Sequence, residues 1–320
     1  MKILVIPGLT LPMVDAAIVS QIRAASQGAD VVVADPKSAI DEVQDAEIVL
    51  GFVNERMFEK ANSLKWVQSI SSGVDMFLYD EFVESDVVLT SEKGLVGEHL
   101  ADHGFGLLLM LTRQLRTALL LGADSWNHRP EMRRQEIELT GSTMGVFGFG
   151  STGRAMAKRA VGFGMNVLAL DRDPVPTSAE VNEVWRSDRF DDLLSASDVL
   201  SICCPLTKET HGKLNREAFK KMKPSSFLVN VTRGEVMVEE DLVDALTNGE
   251  IGGAALDVTP REPLPSDSPL WALENVVMTP HTAGASQFRA QRNLDRFLSN
   301  LQRYLSKEPL EGLIDKYLGY

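Results

Sequence analysis

The run M-G-V-F-G-F-G-S-T-G at residues 144–153 decides the fold. An apolar stretch, 144–149, enters a turn with glycines at Gly148, Gly150 and Gly153, and a helical pattern follows over 154–163. Strand, glycine turn and helix in that order are the context that a dinucleotide fingerprint requires. Gly148 allows the tight turn, Gly150 lets the main chain approach a pyrophosphate, and Gly153 lets the helix pack closely on the strand. Ser151 and Thr152 lie in the turn that leads into this helix, whose N-terminus offers unpaired N–H groups and its positive dipole end to phosphate. A second apolar run, Asn166–Leu170, ends at Asp171, whose carboxylate can accept from both hydroxyls of an adenosine ribose. This favours NAD over NADP, because a 2′-phosphate would meet a like charge; the neighbouring Arg172 pulls the other way.

Working outward, β-rich runs at 2–6, 31–34, 47–51, 65–69 and 87–90 alternate with helical patterns. A long amphipathic segment, 97–121, and a polar stretch, 123–138, separate them from a second series at 145–149, 166–170, 199–203, 227–231, 253–256 and 276–279. The alternation predicts an α/β fold with two doubly wound parallel-sheet domains. A last helix, 286–305, has no strand after it and must bury its apolar face on something already made.

The chain has 320 residues, enough for two domains, with 44% hydrophobic and 24% charged residues. A net charge of −13 argues against a phosphate-backbone partner, so no nucleic acid is expected. The first apolar run, 1–6, passes straight into Pro7-Gly8 and lacks the longer core of a signal peptide. The apolar stretch 104–121 is interrupted by Arg113, Gln114 and Arg116, and no membrane span is read from it. The two cysteines, Cys203 and Cys204, are adjacent, which disfavours a disulfide and makes a reducing cytoplasm the expected compartment. No metal site is expected.

These residues resemble the D-isomer-specific 2-hydroxyacid dehydrogenases. The resemblance covers nearly the whole chain: L-K-W-V-Q-S-I-S-S-G-V-D at 64–75, G-V-F-G-F-G-S-T-G at 145–153, P-L-T-K-E-T at 205–210, V-N-V-T-R-G at 229–234, A-L-D-V at 255–258, E-P-L at 262–264 and T-P-H-T-A-G at 279–284. It implies a flavodoxin-like substrate domain built from 1–96 and 287–320, with a Rossmann nucleotide-binding domain, 97–286, inserted between them. It also implies a homodimer formed largely through the inserted domains.

The chemistry of the residues agrees. Reducing a 2-keto acid needs a hydride donor held at C2, a proton for the developing alkoxide, and a cation to orient the carboxylate and polarise the carbonyl. His281 is the candidate acid-base, Glu262 the candidate partner that orients the imidazole and stabilises its charge, and Arg233 the candidate bidentate cation at the carboxyl end of a strand. His99, His103, His128 and His211 are read as cap, core or surface residues without a catalytic role. The resemblance further implies that the backbone amides of Ser72, Gly73 and Val74 take the substrate carboxylate. It implies that Cys203, Cys204, Pro205, Thr210, Val231, Thr232 and Gly284 surround the cofactor, and that Asp257 anchors the carboxamide.

A formate dehydrogenase would carry glutamine at Glu262, and many phosphoglycerate dehydrogenases append a regulatory domain beyond the position of Tyr320. The expected activity is NAD(H)-dependent reduction of a small 2-keto acid of the glyoxylate or hydroxypyruvate kind, with pyruvate or phosphoglycerate as further substrates. The family also resembles corepressors that use this fold to sense NAD(H), so a non-enzymatic interaction role is the second hypothesis.

Overall fold

Short runs of Val, Ile and Leu form two parallel sheets, and the intervening helical patterns cover them. The computed structural model describes residues 1–320. In chain order the elements begin β1 (Lys2–Val5), α1 (Ala16–Ala25), β2 (Asp30–Val33), α2 (Ala39–Glu42), β3 (Ile48–Leu50), α3 (Glu55–Lys60), β4 (Trp66–Gln68), α4 (Asp80–Val83) and β5 (Val88–Thr90). They continue α5 (Gly97–Thr112), α6 (Leu115–Leu121), α7 (Ser125–Gln135), β6 (Thr143–Phe147), α8 (Ser151–Gly162), β7 (Asn166–Leu170), β8 (Val184–Trp185), α9 (Phe190–Ala196) and β9 (Val199–Ile202). The series ends with α10 (Arg216–Lys221), β10 (Phe227–Asn230), α11 (Glu239–Thr247), β11 (Gly253–Leu256), β12 (Val276–Met278) and α12 (Arg289–Ser306). The chain divides into two compact units, Met1–Val96 with Ala285–Tyr320, and Gly97–Gly284.

The first unit holds a five-stranded sheet in the order β2-β1-β3-β4-β5, and the second a seven-stranded sheet in the order β12-β11-β10-β9-β6-β7-β8. Every strand pair in both is parallel. These are the flavodoxin-like and Rossmann orders, the second extended by one strand. Parallel sheets must be covered on both faces, which is why their strands are apolar throughout. In the second unit Val146, Val199, Val229 and Ala255 face Leu108 of α5 and Ala157 of α8. Their neighbours Phe147, Leu200, Leu228 and Leu256 face Leu193, Phe219 and Leu242 on the opposite side.

The last helix, α12, is seated within the first unit. Its Leu294, Phe297 and Leu301 pack with Ile3, Val5, Ile48, Leu50 and Trp66. The Trp66 ring stacks on Phe297 at 5.4 Å and on Tyr304 at 5.5 Å. Buried polar groups fix the register. Trp66 Nε1 donates to Thr90 Oγ1 (2.8 Å), and Thr90 Oγ1 donates to Gln68 Oε1 (2.8 Å). The same Gln68 oxygen accepts from Asn300 Nδ2 on α12 at 3.1 Å. At the start of the helix Arg289 Nε donates to the buried Glu92 carboxylate at 3.0 Å. Burial pushes the Glu92 carboxyl up from its ordinary value, against the opposing pull of that guanidinium.

Three elements differ from the sequence patterns. The amphipathic segment 97–121 breaks into α5 and α6 because Gln114 adopts a left-handed backbone, φ 51°. The polar stretch 123–138 holds a helix, α7, with no buried residue, so no apolar stripe marks it. The edge strand β8 has two residues, too few to show a period. No single helix is long and apolar enough to cross a membrane.

Phe297 is fully buried against Trp66, so Phe297→Ala should cost roughly 3–5 kcal/mol of stability in urea unfolding. A loss below about 1 kcal/mol would show that this helix does not carry the first unit's core.

Candidate dinucleotide and acid-base site

The glycine turn follows β6 and is built from main chain pressed on main chain. A Cβ at Gly148 (φ 98°) would lie 2.6 Å from Cys204 N, and one at Gly153 would lie 2.1 Å from Gly148 O. A Cβ at Gly150 would meet nothing within 4 Å, so the space above that residue is open. Gly150 is the N-cap of α8 and brings no side-chain acceptor to the helix start. Those amides are therefore left for a ligand with anionic oxygens. A bare, open helix end behind a turn that only glycine can make fits a pyrophosphate. Ser151 and Thr152 form the first turn of α8, which starts three residues before the helical pattern read from the sequence.

Asp171 follows β7. Its Oδ2 accepts from Phe149 N at 2.7 Å and its Oδ1 from Asp173 N at 3.0 Å, which fixes the carboxylate beside the glycine turn. Arg172 turns to carboxylates: Nη1 meets Glu209 Oε2 at 2.9 Å and Nη2 meets Asp173 Oδ2 at 3.4 Å. Glu209 is a residue that sequence patterns did not mark, although it lies inside the quoted 205–210 motif.

Cys203 and Cys204 are buried and free, one in each of the core layers flanking the sheet. Burial pushes the Cys203 thiol up to about 12 and the Cys204 thiol higher still. Their side chains pack in the core, and what this loop turns outward is Pro205, which is exposed. Thr210 closes that loop on itself, donating to Pro205 O (2.7 Å) and accepting from Thr207 N (2.8 Å).

The loop after β10 carries Val231, buried, then Thr232 and Arg233. Asn230 Nδ2 holds Arg233 O at 2.8 Å, and Arg233 Nη1 donates to Thr232 O at 2.9 Å. A Cβ at Gly234 would lie 2.0 Å from Thr259 C, so this loop is in main-chain contact with the one that leads to Glu262. Gly234 ends the 229–234 motif, and its job is this close approach.

Glu262 and His281 come together. Glu262 Oε2 lies 2.6 Å from His281 Nδ1, and Glu262 Oε1 accepts from Thr259 N at 3.1 Å. Both side chains are partly exposed, 37% and 45%. A carboxylate at Nδ1 holds the proton there and leaves Nε2 as the ring nitrogen that gives or takes a proton. His281 has a left-handed backbone, φ 54°. That conformation costs a non-glycine residue roughly 1–3 kcal/mol and persists where its surroundings enforce it. Here they do: His281 N donates to Asp257 O at 2.8 Å and to Thr279 O at 3.1 Å.

Asp257, at the end of β11, is almost fully buried and fastened to the histidine loop. It accepts from Thr279 Oγ1 (2.6 Å), Thr282 N (2.8 Å) and Ala283 N (2.8 Å). Three donors against about four acceptor positions leave one for a further N–H. Gly284, the last residue of the second unit, lies one residue beyond Ala283 in this loop. In the first unit, Ser72–Val74 follow β4; Ser71 Oγ donates to Gly73 O at 2.8 Å and the Val74 side chain is buried, which pins the turn.

A parallel sheet with a glycine turn at its switch point, an acidic residue after the next strand and a carboxylate-held imidazole defines a dinucleotide-dependent oxidoreductase. Comparison with known proteins narrows this. The family model described as "D-isomer specific 2-hydroxyacid dehydrogenase, NAD binding domain" matches residues 105–283. A hydroxypyruvate reductase from Blautia hydrogenotrophica is 33% identical over 293 residues, covering 86% of this chain and 87% of the relative. A glyoxylate reductase from Thermococcus litoralis is 31% identical, covering 88% and 89%. Among solved structures, an NADPH-dependent glyoxylate/hydroxypyruvate reductase from Sinorhizobium meliloti, in complex with NADP and sulfate, superposes with a TM-score of 0.81 at 26% identity over 100% of both chains. The chain belongs to the D-isomer specific 2-hydroxyacid dehydrogenases, oxidoreductases that act on the CH–OH group of 2-hydroxy acids.

Only a thiolate attacks a disulfide reagent, and a thiol held at about 12 stays neutral at ordinary pH. Neither cysteine of the native protein should therefore react with a disulfide reagent at about pH 8, whereas both should react after denaturation. Fast labelling of the native protein would contradict the buried placement.

Proposed function

We propose that this protein is an NAD(H)-dependent reductase of small 2-keto acids of the glyoxylate or hydroxypyruvate kind, with His281 as the acid-base, Glu262 as its partner and Arg233 as the substrate cation. The observation that carries the reading is the 2.6 Å contact of His281 Nδ1 with Glu262. The bound dinucleotide supplies the hydride for C2. The protein's part is to hold the substrate carboxylate and carbonyl, with the planar Arg233 guanidinium as the group suited to both. Protonated at Nε2, His281 gives its proton to the oxygen that gains charge; neutral, it takes one from a hydroxyl. Glu262 keeps the ring oriented in both states. The main-chain amides of Ser72, Gly73 and Val74 are assigned the carboxylate on the sequence resemblance.

Two carboxylates support NAD over NADP. Asp171, held by Phe149 N and Asp173 N, presents negative charge after β7, and Glu209 offsets the charge of Arg172. A homodimer through the second unit is supported by exposed apolar side chains on α6 and α7, Leu115, Leu119, Leu120 and Trp126. The buried free thiols suit a cytoplasmic enzyme.

The test follows NADH and NADPH oxidation with glyoxylate, hydroxypyruvate, pyruvate and longer 2-keto acids. NADH should be preferred at equal concentration, and both Asp171→Ala and Glu209→Gln should narrow the gap. A wild-type preference for NADPH would overturn the cofactor assignment, and no turnover of any acid would favour a binding role instead.

Reduction should slow as pH rises and oxidation should slow as pH falls, because one needs the charged ring and the other the neutral ring. Glu262→Gln removes the carboxylate that orients the ring at Nδ1 and should lower kcat in both directions by roughly ten- to a hundredfold. His281→Ala should cut kcat in both directions by roughly 10²–10⁴ while NADH binding stays intact. A wild-type kcat in Glu262→Gln would show that the pair does not work together.

A further inference from the structure

We propose that His103 is a positioning residue for His281, acting from α5 through Thr279 and Asp257. The proposal rests on the acid-base role of His281. His103 Nε2 lies 2.7 Å from Thr279 Oγ1, and Thr279 Oγ1 lies 2.6 Å from Asp257 Oδ1. His103 Nε2 is also 3.4 Å from that carboxylate oxygen, whose side chain is 1% exposed.

The direction of these bonds follows from proton inventory. An ionised carboxylate only accepts, so the single Thr279 hydroxyl proton goes to Asp257. Thr279 Oγ1 must then accept from His103, which carries its proton on Nε2. His103 thereby fixes the threonine rotor, the rotor holds Asp257 Oδ1, and Asp257 holds the amides of Thr282 and Ala283 on the far side of His281. His281 sits between these fastenings in its left-handed conformation, with its own N–H on Asp257 O. The helix supplying the donor packs directly on β11 and β12, the strands that lead into Asp257 and Thr279.

What the chain requires of residue 103 is a donor at the reach of an imidazole Nε2. His103→Gln keeps an N–H at similar reach, whereas His103→Leu fills the space without one. Thr279→Val removes the hydroxyl and keeps the shape. In His103→Leu, kcat for keto acid reduction should fall roughly ten- to a hundredfold, the scale of an ångström-level misplacement, while KM and the Kd for NADH stay within about twofold. Thr279→Val should do the same. The double variant should be no worse than either single one, because both break one chain. His103→Gln should recover most of the rate.

A second readout does not depend on turnover. Amide hydrogen exchange at His281, Thr282 and Ala283, read by NMR, should quicken in His103→Leu and return toward the wild-type rate in His103→Gln. Unchanged exchange in His103→Leu overturns the proposal, as does wild-type kcat in that variant. So do a rate loss that tracks weakened NADH binding, additive losses in the double variant, or an equal loss in His103→Gln. Wild-type protein that reduces no keto acid would instead overturn the acid-base reading, while the exchange rates still decide whether His103 holds the loop.

Discussion

Every strand of the seven-stranded sheet runs in the same direction, and the candidate site of the second unit depends on that constraint. Parallel strands deliver all their carboxyl ends to one edge, so the segments that follow them are gathered there whatever their separation in sequence. The glycine turn follows β6, Asp171 follows β7, Cys203 to Thr210 follow β9, Arg233 follows β10, Asp257 and Glu262 follow β11, and His281 follows β12. The pairing register is continuous across these strands, which sets the loops at one level before any side chain is considered.

At that edge two kinds of fastening convert neighbouring loops into a rigid frame. One is backbone lying on backbone at Gly148, Gly153 and Gly234, where a methyl group would collide with main-chain atoms at 2.0–2.6 Å. The other is a carboxylate that accepts main-chain N–H groups, as Asp171 does for the glycine turn and Asp257 for the histidine loop. The first kind tolerates no side chain and the second tolerates no loss of charge. Together they let a partly exposed histidine keep a costly backbone conformation.

Most of the fold was legible because its signals are local. Apolar runs marked eleven of the strands, and the glycine turn marked the start of the nucleotide unit. The Glu262 and His281 pair was legible because histidine and carboxylate chemistry suggests it and the motif spacing supports it. What escaped depends on contacts distant in sequence or on elements too short to show a period. His103 reads as an ordinary residue of a buried helix, and only the approach of Thr279, 176 positions later, gives it a partner. Glu209 faces Arg172 only once β7 and β9 have been placed on either side of β6. The break at Gln114 follows from a backbone conformation that its residue type does not announce.

The seating of α12 on Trp66 sets an order of events during synthesis. Residues 97–284 form their own core from one uninterrupted segment, so that unit can close as soon as it leaves the ribosome. The first unit emerges earlier and finishes later. Until residues 289–306 are made, the Ile3, Val5, Ile48, Leu50 and Trp66 face of its sheet has α1 but lacks α12, the second helix that covers it. The nascent chain thus carries a partly uncovered apolar sheet face throughout translation of the second unit, a period in which a chaperone has a surface to shield.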